Sequence, residues 1–129
     1  MVFPENVDVK TPFDPKMTAY TQLERGILDW MAEHVDIPHL AAQIQAATPI
    51  KREVTGCGSF TALSVPDDLR PIKTSSPING PMLEAEGIDG GGTSILFLND
   101  SGHIKELELF ANGEHFSENV KEFQLTGCT

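Results

Sequence analysis

"TSILFLNDSGHIKELELFA", residues 93–111, decides the fold of this chain. Asp100-Ser101-Gly102 stands between two apolar runs. That is hairpin chemistry, because glycine supplies the positive φ that a tight reversal needs. In the second run Glu106 and Glu108 alternate with Leu107 and Leu109. Successive side chains on a strand point to opposite faces, so one face is greasy and the other carries charge. On strict alternation Ile104 and Phe110 fall on the glutamates' side. A surface mixing carboxylates with large apolar groups needs a reason.

Working outward, "MLEAEGI" (82–88) precedes this hairpin through Asp89-Gly90-Gly91-Gly92. With Leu98 opposite His103 and Ile88 opposite Thr93, the three strands sort their side chains consistently. One face gathers Leu83, Ala85, Leu96, Leu98, Leu107 and Leu109. The other gathers Glu84, Glu86, Ile95, Phe97, Ile104, Glu106, Glu108 and Phe110. Neighbouring carboxylates repel and resist burial unless paired, so this second face should stay wet. An apolar stripe between acidic pairs is how a protein-binding surface looks, and these eight residues are the candidate partner-binding set. The alternative is an outer face roofed by another part of the chain. A slip of one residue in either hairpin would invert the sorting.

Upstream, Tyr20, Leu23, Ile27, Trp30, Met31 and His34 recur at helical spacing, with a capping box at Thr21 and Glu24. Asp36 and Pro38 announce a second helix through Leu40, Ala41, Ile44 and Ala47, which must stop before Pro49. "IKREV" and "CGSFTALSV" then read as strands around Thr55-Gly56. A proline-rich loop follows at 66–81, and Phe123 with Leu125 suggests a closing strand. The expectation is an α+β fold: two N-terminal helices packed on one face of an antiparallel sheet of about 4–5 strands, with a meander in the C-terminal half. Residues 1–129 make one domain, and Pro4, Pro12 and Pro15 mark 1–17 as an extended arm.

The chain carries 9 basic and 19 acidic residues, a formal net charge of -10. Nine of the acids and two of the bases lie in 84–129, so the C-terminal third dominates the field. Such a balance opposes binding to nucleic acid or an anionic membrane and speeds encounter with a basic partner. The start, MVFPENVDVKTPFDPK, has no apolar core of a secretory signal, and no run reaches membrane-spanning length. A cytoplasmic chain is expected, with Cys57 and Cys128 either free or bridged.

Chemistry-bearing motifs are sparse. His34 and His39 are badly spaced for one helix face, and no cysteine–histidine pattern signals zinc, so no metal or cofactor is expected. Cys57 in "TGCGS" lacks an identifiable base, and the paired glutamates sit on open strands, so no catalysis is expected on this chain. "GIDGGGTSILFLNDSGHI" (87–104) resembles the first phosphate loop of the sugar-kinase and acetate-kinase superfamily. That likeness implies a small ligand- or nucleotide-binding domain or enzyme using the 89–94 loop. "LERGILDWM" (23–31), the Gly-Cys-Gly at 56–58 and "ILFLNDSGHIKELELFANGE" (95–114) together resemble a small bacterial α+β domain family of uncharacterised function. That pattern has further cysteines, of which only Cys57 stands here. In size and acidity the chain is similar to immunity proteins of bacterial toxin systems, contact-dependent growth inhibition included. This resemblance implies a cytoplasmic inhibitor, monomeric or homodimeric, that neutralises a cognate basic toxin such as a nuclease. A structural homodimer, its seam on the apolar stripe, is the third expectation.

Overall fold

The computed structural model describes residues 19–117 and 119–127. The arm expected over 1–17 and the second thiol, Cys128, lie outside the described residues. Helix α1 spans Gln22–His34 and α2 spans Leu40–Ala46. Six strands follow: β1 (Thr48–Val54), β2 (Gly58–Ser64), β3 (Ile78–Glu84), β4 (Gly92–Leu98), β5 (Ile104–Ala111) and β6 (Gln124–Thr126). They form one antiparallel sheet in the order β1-β2-β5-β4-β3-β6. The fold is α+β as expected, with six strands among the described residues rather than about 4–5.

The local signals act where they were read. Thr21 Oγ1 accepts from Glu24 N at 3.1 Å, and Glu24 Oε1 accepts from Thr21 N at 3.0 Å, so two of the helix's orphan donors are satisfied. Leu23, Ile27, Leu28 and Met31 are fully buried. Trp30 is only half-buried and stacks on the exposed His34, with ring centroids 4.5 Å apart, so the apolar stripe ends before His34. The helices pack with Leu63, Leu83, Leu96, Leu98, Leu107 and Leu109 into one core on one side of the sheet. Each fully buried Leu contributes about 1.5–3 kcal/mol, so this face holds the domain together.

Two strand bounds differ from expectation. β3 begins at Ile78, four residues inside the proline-rich stretch, and ends at Glu84. A bulge between Asn79 and Met82 makes this possible. It takes Pro81 out of the ladder, where a residue without N–H does least harm, and Pro81 O accepts from Ser94 Oγ at 2.7 Å. The rest of the proline-rich stretch closes one end of the core. Ile72 is buried, and its amide donates to Gly102 O at 2.8 Å.

A charged cluster ties α1 to the first hairpin. Arg52 Nε and Nη2 donate to Glu24 Oε2 and Oε1 at 2.9 and 2.6 Å, and Thr61 Oγ1 donates to Oε2 at 2.6 Å. Glu24 is 1% exposed and the Arg52 side chain 7%, so the pair is buried and bidentate. The same glutamate thus caps its helix and anchors two strands.

Candidate functional site

Both helices and the proline-rich loop occupy one side of the sheet, and the other side is the candidate site. Register places its residues in rows. Across β1, β2, β5, β4 and β3 runs Glu53–Phe60–Glu108–Ile95–Asn79. One step along lies Lys51–Ala62–Glu106–Phe97. On the other flank Phe110, Thr93, Met82 and Thr126 stand in line. Directly opposed side chains sit about 5 Å apart at Cβ, so Glu108 has Phe60 and Ile95 as lateral neighbours and Glu106 and Phe110 along its own strand. Phe60, Ile95, Phe97, Glu106, Glu108 and Phe110 are all half-buried. Among the described residues neither Glu106 nor Glu108 pairs with a cation.

The expected set is therefore brought together only in part. Ile95, Phe97, Glu106, Glu108 and Phe110 share the open face, as read from alternation. Ile104 does not: it is 1% exposed, in the core beside Leu98. The reason is a bulge. Phe97 pairs with Glu106 but Leu98 pairs with Ile104, so Lys105 is an extra residue that turns Ile104 to the helix side. Glu84 keeps the open side, but it pairs with Gln124 beyond the end of β4. Met82, not Ile88, stands opposite Thr93. That moves the strand six residues along and leaves Glu86 in the turn after it. Glu84 and Glu86 instead line a shallow depression with Glu122 and Phe123. Phe60, Ala62 and Glu53, absent from the expected set, complete the face.

Burial among these neighbours, and then the Glu106 charge, raise the Glu108 carboxyl above the ordinary carboxylate range. The folded protein therefore holds this proton to higher pH than the unfolded chain does. The associated stability is present at acid pH and is lost as pH rises through the folded pKa. Glu108→Gln should raise the melting temperature at pH 7, and the gain should vanish below roughly pH 4, where the carboxyl is protonated in both states. Thermal melts of both proteins across pH 3–8 measure this; an equal gain at every pH would mean that charge is not the cause.

The other expected sites have definite geometry. In the 89–94 loop, Asp89 N donates to His115 O at 2.9 Å and Gly91 N to Ile88 O at 3.1 Å. The Asp89 carboxylate accepts from Glu114 N at 3.2 Å. These two amides are engaged within the chain, Asn112 Nδ2 donates to Gly90 O at 3.1 Å, and the loop's own charged side chain, Asp89, is acidic. Gly90 and Gly91, at φ 74° and 76°, serve the reversal itself. Cys57 is an exposed thiol in the β1–β2 turn, with Thr55 Oγ1 3.7 Å from its sulfur. Among the described residues no three His, Cys, Asp or Glu side chains are placed to hold a metal ion, and no helix is long and apolar enough to cross a membrane. Comparison with known proteins finds no family model, no curated protein and no solved structure that matches this chain.

Proposed function

We propose that this chain is a binding protein of the immunity type, which neutralises a basic toxin domain by covering it with the open sheet face. The observation that carries the reading is Glu108, a carboxylate without a cation among the described residues, set between Phe60 and Ile95 and next to Glu106. In the free protein this arrangement is unfavourable, since two like charges share a partly apolar surface. An arriving Lys or Arg relieves it. The cation pairs with both carboxylates while its methylene stem lies on the aromatic rings. Phe60, Phe97 and Phe110 supply the apolar anchors that such an interface concentrates at its centre.

On this reading the inhibitor performs no chemistry; it occupies the toxin's substrate-binding surface. Its charge of -10 steers the encounter, so the association rate should fall as salt rises. Glu84, Glu86 and Glu122 add to the field from the margin, outside the contact itself. The engaged amides of the 89–94 loop make it the weaker alternative as a phosphate site.

The test is co-purification with the product of the adjacent reading frame, followed by titration calorimetry. Glu106→Lys/Glu108→Lys should weaken binding about 100-fold or more, because it sets cations against cations at the centre of the interface. Unchanged affinity, in a variant whose circular dichroism matches the parent, would place the contact elsewhere.

A further inference from the structure

A small cleft lies between the start of α2 and the proline-rich loop, on the side of the sheet away from the open face. Pro38, His39, Arg70, Pro71 and Lys73 line it, and its volume is about 270 Å³. Two of these residues are cations, one is an imidazole and none is acidic, on a chain whose formal net charge is -10. His39, Arg70 and Lys73 are all exposed. Among the described residues no carboxylate pairs with any of them. The chain's other arginines are different: Arg25 has Asp29 and Arg52 has Glu24.

The backbone of the cleft is fixed, although its polar side chains stand in water. Gln43, buried on α2, joins the two walls, since its Nε2 donates to Arg70 O at 2.9 Å. His103 Nε2 lies 2.9 Å from Leu69 O, and the amide of the buried Ile72 donates to Gly102 O at 2.8 Å. Both flanks of Pro71 are thereby held. On the facing wall His39 has a φ of 74°, the only positive value among the described residues that are not glycine. The fully buried Leu40 follows it, and His39 O accepts from Gln43 N at 3.1 Å. A left-handed histidine persists where its surroundings over-determine it, as they do here. The two proline rings have fixed φ and stiffen both walls.

We propose that this cleft binds a phosphoryl group, as free phosphate or as the head of a small phosphate ester. The Arg70 guanidinium offers a planar fork that two phosphate oxygens can share. Lys73 adds a point charge, and the His39 imidazole can donate a further bond. A dianion matches two cations, whereas a single carboxylate leaves one of them unpaired. The negative field of the rest of the chain is screened beyond about 8 Å at physiological salt, so the local cations decide. The proline rings give an ester's carbon body an apolar surface. The volume falls below the roughly 300–1,000 Å³ of common ligand pockets, so that body is short. The inference is independent of the proposed toxin-binding role, which uses the other side of the sheet.

An amide NMR titration of the chain at pH 7 and fixed ionic strength tests it, with inorganic phosphate, glycerol phosphate and acetate as probes. Both phosphates should give saturable shifts at His39, Leu40, Ile72 and Lys73, and acetate should not. Tighter binding of glycerol phosphate assigns an ester as the ligand; equal or tighter binding of inorganic phosphate assigns the free ion. Arg70→Gln and Lys73→Gln should each weaken binding about tenfold or more, since each removes a charge-assisted hydrogen bond. Arg70→Lys should not restore it, because an ammonium cannot make the forked pair. Both side chains are exposed, so the melting temperatures of the variants should match the parent's. Shifts that never saturate, that acetate reproduces, that appear equally around Lys51 and Lys105, or that survive Arg70→Gln would each overturn the proposal.

Discussion

Replacing Arg52 with alanine should destabilise the domain by about 3–5 kcal/mol, the largest effect expected of any single charge among the described residues. The guanidinium makes two bonds to a carboxylate that is 1% exposed, and its Nη2 also donates to Ala19 O at 2.9 Å. Without it, Glu24 retains Thr61 Oγ1 and the Thr21 amide, neither of which carries a charge. A buried ion that loses its partner carries its full desolvation penalty, whereas an exposed pair such as Arg25–Asp29 contributes less than about 1 kcal/mol. The pair itself need not be net stabilising. Glu24→Gln/Arg52→Met, which removes both charges at similar volume, should come within about 1–2 kcal/mol of the parent. Urea denaturation at pH 7 measures all three proteins. An Arg52→Ala loss under about 1 kcal/mol would show that Glu24 finds water or another cation, and that the cluster is not what fixes α1 on the first hairpin.

That cluster also marks where the sequence stops being readable. The capping box of Thr21 and Glu24 is visible because its bonds span three residues. The second role of Glu24 depends on a partner 28 residues away, and nothing in "IKREV" distinguishes a strand arginine that is buried from one that is solvated. The consequence reaches the candidate site. In "CGSFTALSV" the apolar Phe60 looks like the inward residue and Ser59 and Thr61 like the outward ones. The structure inverts this: Ser59 and Thr61 are 1% exposed, on the side where Glu24 and Arg52 need polar company, and Phe60 faces out. Hydrophobic pattern alone misassigns a strand whose core face has been made polar by a buried ion pair.

The hairpin of β4 and β5 was legible for the opposite reason, since both its turn and its alternation are local. Asn99 Oδ1 accepts from Ser101 N and His103 N, and Gly102 takes a φ of 82°, so the Asn-Asp-Ser-Gly stretch forms the reversal it suggests. The hairpin's register was not legible, because the bulge at Lys105 leaves no compositional mark: Leu98 stands opposite Ile104 rather than the expected His103, and Ile104 is misplaced by strict alternation. The first hairpin of the meander failed on register. Glycines at 90–92 suggest a short turn, while the chain uses 85–91 for a longer one closed by the Ile88–Phe116 bridge. Such a bridge draws on residues that no short stretch of sequence links.

Gln43→Leu should cost about 2–4 kcal/mol, although it exchanges a polar side chain for an apolar one of similar size at a site with no exposure. The Gln43 amide joins three segments. Its Nε2 donates to Arg70 O at 2.9 Å and Gly102 O at 3.1 Å, and its Oε1 accepts from Ile104 N at 2.9 Å. Gly102 O retains the Ile72 amide in the variant, but Arg70 O and Ile104 N lose the partner that α2 supplies. Each unsatisfied buried group costs about 1–3 kcal/mol, more than leucine's added burial returns. The Ile104 amide lies at the bulge, so Gln43 is also what holds the extra residue in place. Hydrogen exchange at Ile104 should accelerate in Gln43→Leu more than at Leu107, which sits in the regular ladder between Thr61 and Leu96. Equal acceleration at both positions would mean global destabilisation alone. A selective effect at Ile104 would show that a side chain on α2 decides which residues of β5 reach the open face, and hence that the helix layer shapes a surface it never touches.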